Sequence, residues 1–143
     1  MSFDATIKHF MTPSPHTIDR RQTMTSAHVL MREHRIRHLP VMENGRIIGV
    51  VTERDLHLME TLPDVLPDEI FVEDAMTPDP YTVSPEALVG DVATTMANNN
   101  FGCAVVVEHG LPCGIFTTVD ALYALAQMMR DPAQPVRPRG DKP

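Results

Sequence analysis

The sequence predicts an α/β (α+β) protein made of two β-α-β-β-α repeats packed with pseudo-twofold symmetry into one module. The segment Met11-Thr12-Pro13-Ser14-Pro15-His16-Thr17-Ile18 returns as Met76-Thr77-Pro78-Asp79-Pro80-Tyr81-Thr82-Val83, Met76 falling 65 positions after Met11. The same offset, without a gap, lays Met31 on Met96, Val41 on Val106, Gly45 on Gly110, Gly49 on Gly114, Thr52 on Thr117 and Asp55 on Asp120. A repeat of this length marks a supersecondary unit that buries its apolar face only against another copy. Each copy also carries its own turn residues, Asn44-Gly45 and His109-Gly110, where a hairpin should close.

Each copy opens with a short extended segment, His16 to Ile18 or Tyr81 to Val83, because residues flanking proline favour β or polyproline geometry. A helix follows, carrying Met24, Ala27 and Met31 in the first copy and Leu88, Val92 and Met96 in the second at helical spacing, with Thr23 as N-cap of the first. Next comes a hairpin: His38 to Glu43, the Asn44-Gly45 turn supplying positive φ, then Arg46 to Thr52. With His109-Gly110 as the second turn, Glu108 faces Leu111, which puts Cys103 opposite Phe116 and Cys113 opposite Val106; a disulfide between them is not expected. A second helix starts near Glu53 and near Thr118. The latter is read to Arg130, with Ala121, Leu122, Leu125, Met128 and Met129 on a stripe that needs a partner surface.

These elements give residues 1–60 as the first repeat, 61–68 as a linker containing Pro63 and Pro67, 69–130 as the second repeat, and 131–143 as a proline-rich, disordered tail. A three-stranded sheet with two helices on one face is too small to bury its other surfaces, so the two copies must pack together.

Composition narrows the function. The chain has 143 residues, 43% of them hydrophobic and 22% charged, and no apolar run long enough to span a bilayer, so no membrane association is expected. The opening Met1-Ser2-Phe3-Asp4 has neither a basic n-region nor an apolar stretch, which leaves the cytoplasm as the expected compartment. The net charge of −7 argues against nucleic acid, which requires a basic face. The charge is also unevenly placed. Residues 1–57 hold eight basic and six acidic groups, whereas residues 58–129 hold eleven acidic groups and no Lys or Arg. An anionic ligand would find its counter-charges in the first part. Cys103 and Cys113 match no metal-ligand spacing, the His34/His38 spacing is no metal site because the helix should end between them, and no nucleophile elbow, Walker loop or HExxH is present; neither a metal, a required cofactor nor an enzyme activity is expected.

With MTPxPxT opening each copy and Gly-h-h-Thr-x-x-Asp (h apolar) closing each hairpin, the region from about Ile7 to Arg130 resembles a tandem pair of CBS (cystathionine β-synthase) domains, a Bateman module. Such pairs, free-standing or appended to enzymes, channels and transporters, sense adenine nucleotides or related adenosyl ligands. The resemblance implies a regulatory, signalling module that binds AMP, ADP, ATP or S-adenosylmethionine in the cleft between the repeats and modulates an unidentified partner protein. It also implies that Asp55 and Asp120 accept hydrogen bonds from ribose hydroxyls. Thr52 and Arg54, with Thr117 and Thr118 in the second copy, stand where a helix N-terminus meets phosphate. Arg37 and His38 reach phosphate too, from Asp55's ribose or from Asp120's. Thr17, Ile18, Pro40, Thr82 and Val83 wall the adenine.

Blander readings exist for the same residues. Thr-x-x-Asp is also a capping box, in which the acid returns to the cap's own N–H. Arg32, Arg35 and Arg37 suit a solvated helix C-terminus. If the sites are vestigial, the alternative function is a dimeric interaction scaffold. The second copy has Gly102-Cys103-Ala104-Val105 in place of Arg37-His38-Leu39-Pro40, and Val119 in place of Arg54, so it offers phosphate no cation. A homodimer through the last helix is expected, and the charge asymmetry favours a head-to-tail arrangement.

Overall fold

The computed structural model describes residues 5–13 and 16–130; the tail expected to be disordered and part of the first MTPxPxT motif lie outside them. The described chain forms two compact units. Both hairpins form as the turn residues dictate. Strand β3 (His38–Glu43) pairs with β4 (Arg46–Thr52), and β7 (Cys103–Glu108) with β8 (Leu111–Thr117). Asn44 and Gly45 sit at φ 51° and 79°, and His109 and Gly110 at 55° and 79°, the left-handed conformation of a primed turn. The short strands β2 (Ile18–Asp19) and β6 (Thr82–Val83) add in parallel to β3 and β7.

The sheets have four strands each rather than the three expected, and the fourth comes from the Met-Thr-Pro segment that opens the other repeat. Strand β1 (Thr12–Pro13) pairs antiparallel with β8, Thr12 facing Ile115 and Pro13 facing Gly114. Strand β5 (Thr77–Pro78) does the same on β4, Thr77 facing Val50 and Pro78 facing Gly49. One unit therefore holds residues 16–80, and the other joins residues 5–13 to 81–130. These do not coincide with the contiguous stretches 1–60 and 69–130 into which the repeat divides the sequence. We call them the Asp55 unit and the Asp120 unit.

The segment ahead of each exchanged strand docks with it. Helix α3 (Val72–Ala75) is anchored by Val72 N donating to Gln22 O at 2.7 Å, and by Arg20, whose guanidinium meets Glu73 at 2.7 Å and Glu43 at 2.9 Å. In the Asp120 unit a 3-10 turn, Ile7–His9, is held by Ile7 N donating to Ala87 O at 2.8 Å. Ile7 and Val72, equivalent at the 65-residue offset, are both fully buried.

Helix α1 (Met24–His34) starts at Thr23, whose hydroxyl accepts from Ser26 N, and buries Met24, Ala27 and Met31 as its spacing predicts. Its counterpart in the Asp120 unit, α4 (Val89–Asn99), buries Val89, Val92 and Met96. Leu88, expected on that face, is instead the N-cap residue and 41% exposed; Val89 is the true equivalent of Met24. Helices α2 (Glu53–Glu60) and α5 (Thr118–Met128) complete the units. The Asp55 unit closes around Leu39, Val41, Val51 and Leu56, the Asp120 unit around Ala104, Val106, Phe116 and Ala124.

A β-bulge corrects the expected hairpin register. Beyond Glu108–Leu111 and Val107–Pro112 the pairing shifts, so Cys103 faces Thr117 rather than Phe116, and Val106 faces Gly114 rather than Cys113. The first hairpin carries the equivalent irregularity between Val41 and Met42. One extra residue on β8 and on β4 absorbs the shift. Neither cysteine is in a disulfide.

The exchanged strands explain the repeated glycine. A Cβ on Gly49 would lie 2.6 Å from Met76 Sδ and 2.7 Å from Thr77 O; on Gly114 it would lie 2.7 Å from Met11 Sδ and 3.0 Å from Thr12 O. A thioether can swing aside, but a strand carbonyl cannot without moving the strand. Gly49→Ala should therefore lower stability by about 1–3 kcal/mol, and Gly114→Ala by less, read as shifts of the urea midpoint at constant slope.

Candidate functional site

The site is built where a strand hands over to a helix, twice. In the Asp55 unit, β4 ends at Thr52, whose hydroxyl accepts from Asp55 N at 3.0 Å while Thr52 N donates to Asp55 Oδ2 at 3.0 Å. In the Asp120 unit, Asp120 N donates to Thr117 Oγ1 at 3.3 Å, and Thr117 N donates to Asp120 Oδ2 at 2.9 Å. Both are reciprocal capping boxes, so the bland reading of Thr-x-x-Asp is realised. Capping uses one carboxylate oxygen, and the two units differ in what becomes of the other.

Asp55 is half-buried, and its Oδ1 accepts no hydrogen bond from the described residues. Asp120 is 2% exposed. Its Oδ1 accepts from Thr12 Oγ1 at 3.2 Å, and its Oδ2 takes a further bond from Thr117 Oγ1 at 3.2 Å. Thr12 belongs to the exchanged strand β1. Its counterpart Thr77, on β5, is exposed and makes no such bond to Asp55. Sequence reasoning missed Thr12 because nothing local links it to Asp120, 108 residues away.

The cations gather beside Asp55. His38 starts β3 opposite Thr52. Arg37 carries a side chain 79% exposed, 3.9 Å from the Glu53 carboxylate, and its carbonyl accepts from Glu53 N at 3.0 Å. Arg54 is exposed on the first turn of α2. Arg35, at φ 54°, ends α1 in the left-handed conformation and turns the chain toward these residues. Arg37, His38, Thr52 and Arg54 therefore share one end of the β3–β4 hairpin with Asp55.

The Asp120 unit has a different surface there. Gly102, Thr118 and Val119 take the places of Arg37, Glu53 and Arg54, and a largely apolar cavity of about 440 Å³ opens between Met96, Ala97, Asn100, Phe101, Gly102 and Thr118. Leu122, Leu125 and Met128 continue along α5 at 63%, 48% and 51% exposure, and Met129, the C-cap residue, is 76% exposed; the helix stops short of the expected Arg130.

The residues expected to wall an adenine are divided. Ile18 and Pro40 are buried, so they can offer only backbone outward. Thr17 and Val83 are half-buried and Thr82 is exposed. Beside Thr17, the His16 ring stacks on His34 with centroids 3.7 Å apart and planes at 18°, a pair the sequence did not suggest; Tyr81 and Phe101 stand at 5.4 Å in the other unit. Burial, with Glu108 adding to it, raises the Cys113 thiol pKa, which disfavours the thiolate. Among the described residues no helix is long and apolar enough to cross a membrane, and no group of three metal-ligating side chains occurs.

The family model described as CBS domain matches residues 7–58 and again 72–127. The chain is 34% identical over 108 residues to the inosine-5'-monophosphate dehydrogenase of Korarchaeum cryptofilum, covering 75% of this chain and 21% of that enzyme. It is 26% identical to the CBS domain-containing protein YhcV of Bacillus subtilis, covering 90% of each. Among solved structures, CBSX2 of Arabidopsis thaliana in complex with AMP superposes with a TM-score of 0.73 at 26% identity, over 87% of this chain and 99% of that one.

The two carboxylates should differ in what they contribute to folding. Asp55→Ala removes an exposed-side cap and should cost about 1 kcal/mol. Asp120→Ala strands the Thr12 and Thr117 donors and should cost about 2–4 kcal/mol. Urea unfolding of the two variants measures the difference.

Proposed function

Because the chain belongs to the CBS-domain family, we propose that it is a regulatory module that binds an adenosyl ligand, an adenine nucleotide or S-adenosylmethionine, and relays occupancy to a partner protein. The observation that carries this reading is the gathering of Asp55, with Oδ1 unclaimed, beside Arg37, His38, Thr52 and Arg54. An ionised carboxylate accepts from both hydroxyls of a ribose diol. The first turn of α2 faces the adjoining phosphate with Arg54, while Arg37 supplies a planar fork. Thr17 and the Ile18 and Pro40 backbone face the base, with Thr82 and Val83 as their counterparts. Asp120, Thr117 and Thr118 form the equivalent second set, without cations.

The AMP bound by CBSX2 supports the choice of ligand class. The dehydrogenase, of which this chain spans about a fifth, is an enzyme with a matching region, and what the present module controls is not specified by that match. A second reading, a dimeric scaffold, is favoured by one observation: the apolar outer face of α5 at Leu122, Leu125, Met128 and Met129. A homodimer through that face is compatible with ligand binding, and the charge division favours a head-to-tail pairing. Light scattering at micromolar concentration tests it, with a monomer as the outcome that removes the scaffold.

Thermal unfolding with AMP, ADP, ATP and S-adenosylmethionine tests the ligand reading. A ligand present at a hundred times its Kd should add about 2.7 kcal/mol of stability, and no shift with any of the four refutes it. Asp55→Ala should weaken AMP about ten- to a hundredfold, as expected for hydrogen bonds to a charged group worth roughly 1.5–3 kcal/mol, and Arg54→Ala should weaken the same site.

A further inference from the structure

The two Thr-x-x-Asp carboxylates hold the same place in their motif and make the same capping box, yet their surroundings differ, and one difference lies in a residue outside either motif. Thr12 Oγ1 donates to Asp120 Oδ1 at 3.2 Å, the oxygen that capping leaves over, while Thr117 supplies both its N–H and its hydroxyl to Oδ2. Asp120 is 2% exposed. The same offset puts Thr77 opposite Asp55, yet Thr77 is exposed and Asp55 Oδ1 takes no bond from it.

We propose that Thr12 is a built-in competitor for the ribose-accepting oxygen of Asp120, so that Asp55 provides the high-affinity adenosyl site and Asp120 a latched one. This rests on the ribose reading above. The chemistry of the competition is direct. A ribose hydroxyl and a threonine hydroxyl are equivalent donors, and a ligand at Asp120 must first displace a hydrogen bond the chain already makes. The cost is increased by burial, since Asp120 must be uncovered before it can be reached. Thr12 is held in place by a strand of only two residues, so displacement means loosening the Thr12–Ile115 and Pro13–Gly114 pairs. Occupancy of the second site is thereby coupled to the position of β1, and the first site carries no such coupling.

AMP titration calorimetry on the full chain decides it. The Asp55→Ala variant isolates the second site. Adding Thr12→Val, which keeps the shape of the side chain and removes its donor, should tighten AMP there by about tenfold or more, and Thr12→Ala should do the same if a branched residue still blocks access. Thr12→Ser, retaining the hydroxyl, should restore the weak affinity. In the wild-type background, Thr12→Val should leave the tighter site unchanged. If AMP binding responds to Asp55→Ala but is untouched or weakened by both Thr12→Val and Thr12→Ala, the latch is wrong and the ribose reading stands. If neither the wild type nor any Thr12 variant binds AMP, both are wrong.

Discussion

The close approach of the two Met-Thr-Pro strands to Gly49 and Gly114 is the contact on which the rest of this structure depends. Each hairpin has an open edge, and an open edge is a row of unmet hydrogen bonds. The edge is closed by a strand from a distant part of the chain, and only glycine lets that strand come near enough for its carbonyl and the neighbouring methionine to pack on the hairpin. The β-bulge beside each glycine belongs to the same arrangement, since the extra residue bends β4 and β8 where the added strand pairs. From this contact follow the four-stranded sheets and the burial of Ile7 and Val72. The joining of residues 5–13 to 81–130 in one unit, with residues 16–80 forming the other, follows from it too.

The same contact sets the chemistry of the helix N-termini. A carboxylate has two oxygens, and a capping box consumes one. Capping and ligand acceptance are therefore compatible functions of one side chain, and what decides between a cap alone and a cap with an open acceptor is the strand laid beside it. Beside Asp120 that strand brings a hydroxyl into reach, and beside Asp55 it does not. Two copies of one motif thus come to present different surfaces.

Charge follows the same division. The Asp55 unit carries Arg37, His38 and Arg54 at the same end of its hairpin as Asp55, a local excess of basic side chains. At the equivalent positions the Asp120 unit has glycine, cysteine and valine, an apolar cavity, and the exposed leucines and methionines of α5. One unit thus presents a basic surface beside its capping carboxylate, and the other an apolar one.

What the sequence determined by itself is everything governed by short separations. The Asn44-Gly45 and His109-Gly110 turns, the Thr23 cap, the buried face of α1 and the pairing of Thr52 with Asp55 and Thr117 with Asp120 all depend on residues within a few positions of one another, and the repeat shows each of these local patterns twice. Local backbone geometry decides them. The exceptions within that range, Leu88 for Val89 and the cross-strand partners of Cys103, arose where a cap or a one-residue bulge displaced the register. The tertiary structure alone decided which strand closes each sheet, why Gly49 and Gly114 must be glycine, and which carboxylate keeps an oxygen to offer. Those contacts join residues as far apart as Thr12 and Asp120, and no periodicity or motif encodes a hydrogen bond between side chains 108 positions apart.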